Sequence, residues 1–138
     1  MLVVADTNIL VSGLNFPAGK PNQLLELARA GEIDLAISDA ILDETADVLA
    51  RKFDWPDADV REMRRQFGLF ARKVFPEEKL NAVPADPDDN AILECASTAG
   101  ADYMISGDHH LLELGKFREI PIVKVAEFLE MLKRGRGR

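Results

Sequence analysis

Residues 2–14, LVVADTNILVSGL, form an apolar run that is interrupted only by Asp6-Thr7-Asn8. The run has no basic start and is too short to span a bilayer, so it predicts a buried strand, with neither a targeting signal nor a membrane segment. Its first part, Leu2 to Ala5, is continuously apolar, which is typical of a central parallel strand covered on both faces. Asp6 is therefore expected at the carboxyl end of a strand.

Strand and helix patterns alternate along the rest of the chain. Further strands are predicted at 35–37, 73–75, 103–106 and 122–125. Helices are predicted at 22–30, 38–52, 57–72, 87–99, 111–114 and after the fifth strand. This alternation indicates an α/β fold, a three-layer α/β/α sandwich around a five-stranded parallel sheet.

The composition predicts one globular domain over residues 1–138, with a basic tail at 133–138. Hydrophobic residues make up 47% and charged residues 30%, which excludes a disordered or membrane-embedded chain. The lone Cys95 rules out an internal disulfide and favours a reducing compartment, so we expect a cytoplasmic protein with Cys95 as a structural side chain. The net charge of −7 argues at first sight against a polyanionic partner, unless the acids converge on a cation.

Two acids are expected at the ends of neighbouring strands. Asp6 ends the first strand, and Asp108 follows the fourth after Ser106-Gly107. If the strand order is 3-2-1-4-5, these carboxylates stand side by side at the carboxyl edge of the sheet, where open parallel sheets bind ligands. Adjacent carboxylates repel each other unless a cation lies between them.

Two further acids lie on predicted helices, and their spacing from apolar residues places them toward the core. Glu44 is three residues after Ile41 and four before Val48, whereas Asp43 and Asp47 point toward solvent. In the first turn of a later helix, Asp89 precedes Ile92 by three residues and Leu93 by four. Both helices are expected to bring their acids to the same sheet edge.

Each of these acids also has a structural interpretation. Asp6 can cap a turn, Asp89 can belong to a capping box with Asp86, Glu44 can be a flanking residue and Asp108 a turn former. Independent caps have no reason to converge, however, so the coincidence favours a site. Oxygen ligands without a cysteine or histidine cluster suit Mg²⁺ or Mn²⁺ and disfavour zinc. Such an ion activates water and offsets phosphoryl charge, which is the chemistry of phosphodiester hydrolysis.

The chain resembles the PIN-domain family, including the VapC-like toxins of toxin–antitoxin pairs. The resemblance rests on VVADTNILVSGL, the segment 38–49 with Glu44, DPDDNAILECA and ADYMISGDHHLL, in the family's order over nearly the whole chain. It implies a five-stranded parallel sheet, metal-dependent cleavage of single-stranded RNA, a protein antitoxin and a homodimer. By resemblance, Asp6, Glu44, Asp89 and Asp108 are the acidic ligands, with Asn8 and Ser106 as supporting polar groups.

One position departs from the family pattern. The family often has another acid two residues after Asp108, where this chain has His110. Exposed loop imidazoles are the default interpretation, and a substrate contact by His110 is the alternative. Arg61 and Arg65 lie near one face of their helix and could follow RNA phosphates, although a solvated face is the default. Competing functions are a degenerate PIN domain that binds RNA or protein without cleaving, and a metal phosphatase.

Overall fold

The computed structural model describes residues 1–80 and 87–136. Its strands are β1 Leu2–Ala5, β2 Asp34–Ile37, β3 Arg72–Lys73, β4 Tyr103–Ile105, β5 Lys116–Phe117 and β6 Ile120–Val123. Its helices are α1 Thr7–Asn15, α2 Lys20–Arg29, α3 Asp39–Phe53, α4 Asp57–Phe70, α5 Pro87–Ala99, α6 His109–Leu114 and α7 Val125–Arg136.

The sheet has the order β3-β2-β1-β4-β6-β5, and its first five strands in that list are parallel. This confirms the predicted order 3-2-1-4-5 for the parallel strands. The sixth strand, β5, was not predicted and pairs antiparallel with β6. The tight turn between them places Arg118 and Glu119 at φ 48° and 68°, a conformation usually taken by Gly, Asn or Asp. Neither the residues of β5 nor its length of two residues indicated a strand in the sequence.

Consecutive residues of the central strands are buried, including every residue of β1. Because neighbouring strand residues point to opposite faces, this burial means that both faces of the sheet are covered, as predicted for three layers. Among the described residues, none of the helices has the length and apolar composition that crossing a bilayer requires. Cys95 is fully buried, and this burial raises the pKa of its thiol to about 12, as expected for a structural side chain.

The strand of the run 2–14 ends at Ala5, with Asp6 at its carboxyl end as predicted, but the rest of the run is helical and not part of a buried strand. Asp6 caps α1, which carries the remaining apolar residues into the core. Gly13 allows α1 to approach α2, because a Cβ there would lie 2.7 Å from the side chain of Leu25. The short helix predicted at 111–114 begins earlier, at His109, and residues 133–136 of the predicted basic tail belong to α7. Residues 137–138 of that tail lie outside the described residues.

Candidate active site

The ends of β1 and β4 lie side by side at the carboxyl edge of the sheet. Ala5 pairs with Ile105, and the Asp6 amide donates a hydrogen bond of 3.0 Å to the Ile105 carbonyl. This register brings Asp6 next to Ser106, the residue after β4. Residues 100 positions apart in the chain therefore share one edge because the strand order places β1 and β4 together.

Asp6 is buried and uses both oxygens of its carboxylate. Oδ1 accepts the Ile9 amide at 2.9 Å and so caps α1. Oδ2 accepts the hydroxyl of Ser106, which is also buried. The Ser106 Oγ accepts in turn the amide of Asp108 at 2.9 Å. A single hydroxyl thus links the two strand-end acids.

The pKa of Asp6 lies above its ordinary value, chiefly because burial withdraws the charged carboxylate from water. The nearby charge of Asp108 adds to this increase, while the hydrogen bonds from Ser106 and Ile9 oppose it. A cation nearby would therefore stabilise the charged form of this buried carboxylate.

Asp108 is half-buried and caps α6. Its Oδ1 accepts the amides of His110 at 2.9 Å and Leu111 at 3.2 Å. Asp6 therefore caps a helix, in line with its structural interpretation, whereas Asp108, interpreted as a turn former, is also a helix cap. These caps do not displace the functional interpretation, because both residues also lie at the same pocket.

Glu44 and Asp89 come to that pocket from two helices. Glu44 on α3 is half-buried while Asp43 and Asp47 are exposed, as their spacing predicted. Asp89 is only 5% exposed in the first turn of α5. The pocket is small, about 40 Å³, and is lined by Asp6, Thr7, Asn8, Glu44, Asp89, Ile92 and Asp108. We call it the carboxylate pocket.

The donor set of the carboxylate pocket suits a hard cation, since the side chains that line it offer oxygen and contain no sulfur or imidazole. Within residues 1–80 and 87–136, however, no three acidic, histidine or cysteine side chains are already grouped as a metal site. Four carboxylates at one pocket repel one another when no cation lies between them. Binding an ion would draw the carboxylates together.

The other candidate residues have different surroundings. Asn8 is exposed and lines the carboxylate pocket. His110 does not line it; its ring lies against that of His109 with centroids 4.1 Å apart, and both are exposed as in the default interpretation, but they begin α6 and do not lie in a loop. Arg65 is held by Glu62 through two hydrogen bonds of 2.7 and 2.9 Å. Arg61 is exposed on the same helix.

Two lining residues were not singled out from the sequence. Thr7 is buried beside Asp6, and Ile92 lies one helical turn after Asp89. The spacing of Asp89 and Ile92 was noted only as a sign of the buried face, although it also places Ile92 at the pocket. Asp86, proposed as a capping partner of Asp89, lies outside the described residues.

The parallel sheet and the carboxylate-lined pocket at its carboxyl edge define the chain as an α/β domain with a candidate metal site. A family model described as PIN domain matches residues 2–110, and the chain belongs to the PIN domain family. PIN domains are generally nucleases, and PIN nucleases generally use divalent metal ions.

The chain is also similar in fold to a solved structure. The structure described as VapBC2 from Rickettsia felis bound to a DNA fragment from their promoter contains a chain that aligns with a TM-score of 0.62. The alignment covers 88% of this chain and 97% of that chain at 15% identity, so the likeness shows the fold. No curated protein matches the chain.

Proposed function

We propose that this PIN domain is a metal-dependent ribonuclease that hydrolyses phosphodiester bonds of single-stranded RNA. The observation that carries the proposal is the carboxylate pocket, in which Asp6, Glu44, Asp89 and Asp108 come together from four separate elements. Membership of a family that generally consists of nucleases supports the same chemistry. RNA as the substrate comes from the sequence resemblance.

Asp6, Asp89 and Asp108 would hold Mg²⁺ or Mn²⁺, with Glu44 as a fourth ligand or as an acceptor for a water on the ion. The ion would lower the pKa of a bound water and offset charge on the phosphoryl oxygens. Ser106 fixes the carboxylate of Asp6 by donating a hydrogen bond from its hydroxyl. Asn8, exposed at the rim, can donate its amide to a phosphate oxygen.

The biological setting is also part of the proposal. The resemblance to VapC-like toxins, together with a fold shared with a chain of a VapBC2 complex, supports a toxin neutralised by a protein antitoxin. We further propose that the chain forms one domain over 1–138, that it assembles as a homodimer, and that it acts in the cytoplasm. The single buried Cys95 is compatible with a reducing compartment.

The second candidate function is RNA or protein binding without cleavage. It is favoured by His110, which stands where the family often has an acid and does not line the carboxylate pocket. A missing outer acid would weaken ion binding. All four principal acids are nevertheless present, so we rank cleavage first.

The test is single-turnover cleavage of labelled single-stranded RNA with Mn²⁺, with Mg²⁺ and with EDTA. We expect cleavage with metal, none with EDTA, and a loss of about 10²-fold or more for Asp89→Asn, because charge stabilisation in the transition state is lost. Asp47→Asn is the matched control, since it removes an acid from the exposed face of α3 and only a surface pair with Arg51. RNA that stays intact with every metal, but is cleaved by His110→Asp, would establish the non-cleaving alternative.

A further inference from the structure

A second pocket lies at the same edge of the sheet, beyond the ends of β2 and β3. Its volume is about 200 Å³. It is lined by Ser38 and Ala40 at the start of α3, by Phe75 after β3, by Lys79, and by Glu94 of α5. We call it the Phe75 pocket.

The Phe75 pocket and the carboxylate pocket are neighbours, because α3 and α5 line both. On α3, Ala40 lies four residues before Glu44, one turn of helix away. On α5, Glu94 lies five residues after Asp89, a rise of about 7.5 Å. Across the sheet, β3 is two strands from β1, which is about 10 Å. A nucleotide adjacent to a phosphate in the carboxylate pocket can reach this distance.

Phe75 has the character of a stacking platform. It is 68% exposed although it is one of the larger apolar side chains. Its backbone is fixed, since the preceding residue, Val74, donates its amide to the Ile37 carbonyl at 2.9 Å and extends the β2–β3 pairing. The ammonium of Lys73 lies 5.8 Å from the centroid of the Phe75 ring. Exposed aromatic rings beside cations are the usual elements of sites for single-stranded nucleic acid.

The segment 74–80 is also fixed at its far end. The Leu80 amide donates to Glu94 Oε2 at 2.8 Å, and the Arg118 guanidinium binds both oxygens of Glu78 at 2.7 and 2.8 Å. The same guanidinium donates to Ser97 on α5 at 3.0 Å. Because both ends of the segment are held against the fold, Phe75 would lose little freedom when a base stacks on it.

Two lysines, Lys73 and Lys79, lie at the Phe75 pocket, which the acids Asp39 and Glu94 also line. Lys79 lines the pocket and is exposed. Lys73 pairs with Asp39 at 2.6 Å, and both side chains are about half exposed. Exposed ion pairs of this kind are weak, so Lys73 can exchange the carboxylate for a phosphate. These two lysines offset the charges of Asp39 and Glu94, so acids do not dominate this pocket although the chain has a net charge of −7.

We propose that the Phe75 pocket binds one unpaired base of the RNA strand next to the cleaved phosphate. The base stacks on Phe75, and its phosphate contacts Lys79. This inference rests on the proposed function, since it requires single-stranded RNA as the substrate. It assigns a binding site for that substrate outside the four carboxylates.

The test measures binding of a fluorescein-labelled single-stranded oligoadenylate by anisotropy in EDTA, where cleavage does not interfere. We expect Phe75→Ala to raise Kd about 5- to 100-fold, the usual effect of losing one stacked base, and Phe75→Trp to stay within about threefold of wild type. Leu69→Ala is the control, because Leu69 is equally exposed, at 70%, but lies on α4. Lys79→Ala should lower the slope of log Kd against log salt by about one. Thermal melts establish that each variant is folded.

The results separate this proposal from the proposed function. Equal binding by wild type and Phe75→Ala, an equal loss for Leu69→Ala, or no binding of RNA by wild type overturns the base site. Unchanged RNA binding together with a change in the sedimentation of Phe75→Ala overturns it in favour of a protein contact. If wild type cleaves RNA while Phe75→Ala has the same Kd and kcat/KM, only the base site fails. If binding depends on Phe75 but no metal supports cleavage, Phe75 stands as an RNA-binding residue, while the nuclease proposal and the placement of the base beside a cleaved phosphate fail.

Discussion

The two halves of the carboxylate pocket are built in different ways. The strand half, Asp6, Ser106 and Asp108, is fixed by hydrogen bonds to the backbone and within the group. The helix half, Glu44 and Asp89, is carried by α3 and α5, two helices that pack against each other. Each acid of the strand half begins a helix, whereas Glu44 lies within one and Asp89 lies in a first turn.

The contrast shows that a residue can be a structural cap and a candidate ligand at once. In the strand half, local structure and proposed chemistry use the same carboxylates, so loss of activity alone does not separate the two roles. Substitutions that keep the hydrogen-bond acceptor of the side chain but remove its negative charge can separate the structural role from the catalytic one. Asparagine does so in the strand half, and glutamine does so at Glu44.

The first prediction compares stability in the two halves without metal. Asp6→Ala and Asp108→Ala should be less stable than Asp6→Asn and Asp108→Asn by about 0.5–2 kcal/mol, because alanine removes the cap and asparagine keeps it. The Asn variants should be at least as stable as wild type, since they remove repulsion between the acids. Urea denaturation in EDTA measures these differences.

The helix half provides the control for this measurement. Glu44→Ala and Glu44→Gln should differ by no more than about 0.5 kcal/mol, as is usual where no cap is lost. If the Asn variants of Asp6 and Asp108 prove clearly less stable than wild type, the carboxylates serve structure alone. If Asn and Ala are equivalent at both positions, the hydrogen bonds to α1 and α6 contribute nothing to folding.

A smaller effect is predicted for the pH dependence of stability. Burial raises the pKa of Asp6, so the folded protein holds this proton at pH values where the unfolded chain, with a pKa of about 4, has released it. The contribution of Asp6 to stability should therefore fall as pH rises from about 4 through the raised pKa, and then stay constant. Asp6→Asn should lack this fall. The check is to measure the melting temperatures of wild type and Asp6→Asn in EDTA from acidic to neutral pH. Parallel curves for the two proteins would contradict the prediction, because they would mean that Asp6 has an ordinary pKa.

Much of the fold and the site was predictable because the signals are local. A continuous apolar strand followed by Asp6, the helical spacing of Glu44, and Pro87 at the first position of α5 each express one physical preference. Once these elements are predicted, Asp6 and Asp108 come together in any strand order that makes β1 and β4 neighbours. The exposure of Asp43 and Asp47 followed from the same helical period.

The rest depends on interactions that a sequence pattern does not display. Residues 9–14 are as apolar as a strand, but in the structure Asp6 caps them as a helix and Gly13 packs closely against α2. The Phe75 pocket depends on β3, a strand of only two residues, and on a contact between Arg118 and Glu78 that are 40 residues apart. Ser106 was expected to support the site, but its link between Asp6 and Asp108 arises from tertiary structure.

The central claim is that both halves of the carboxylate pocket act together on one divalent ion. Crystals soaked in Mn²⁺ and measured for anomalous scattering test it most directly. We predict a peak among Asp6, Asp89 and Asp108, with Glu44 bound to the ion or to its water, and no such peak in Asp89→Asn crystals. Anomalous density elsewhere on the protein, with none among these acids, would contradict the account.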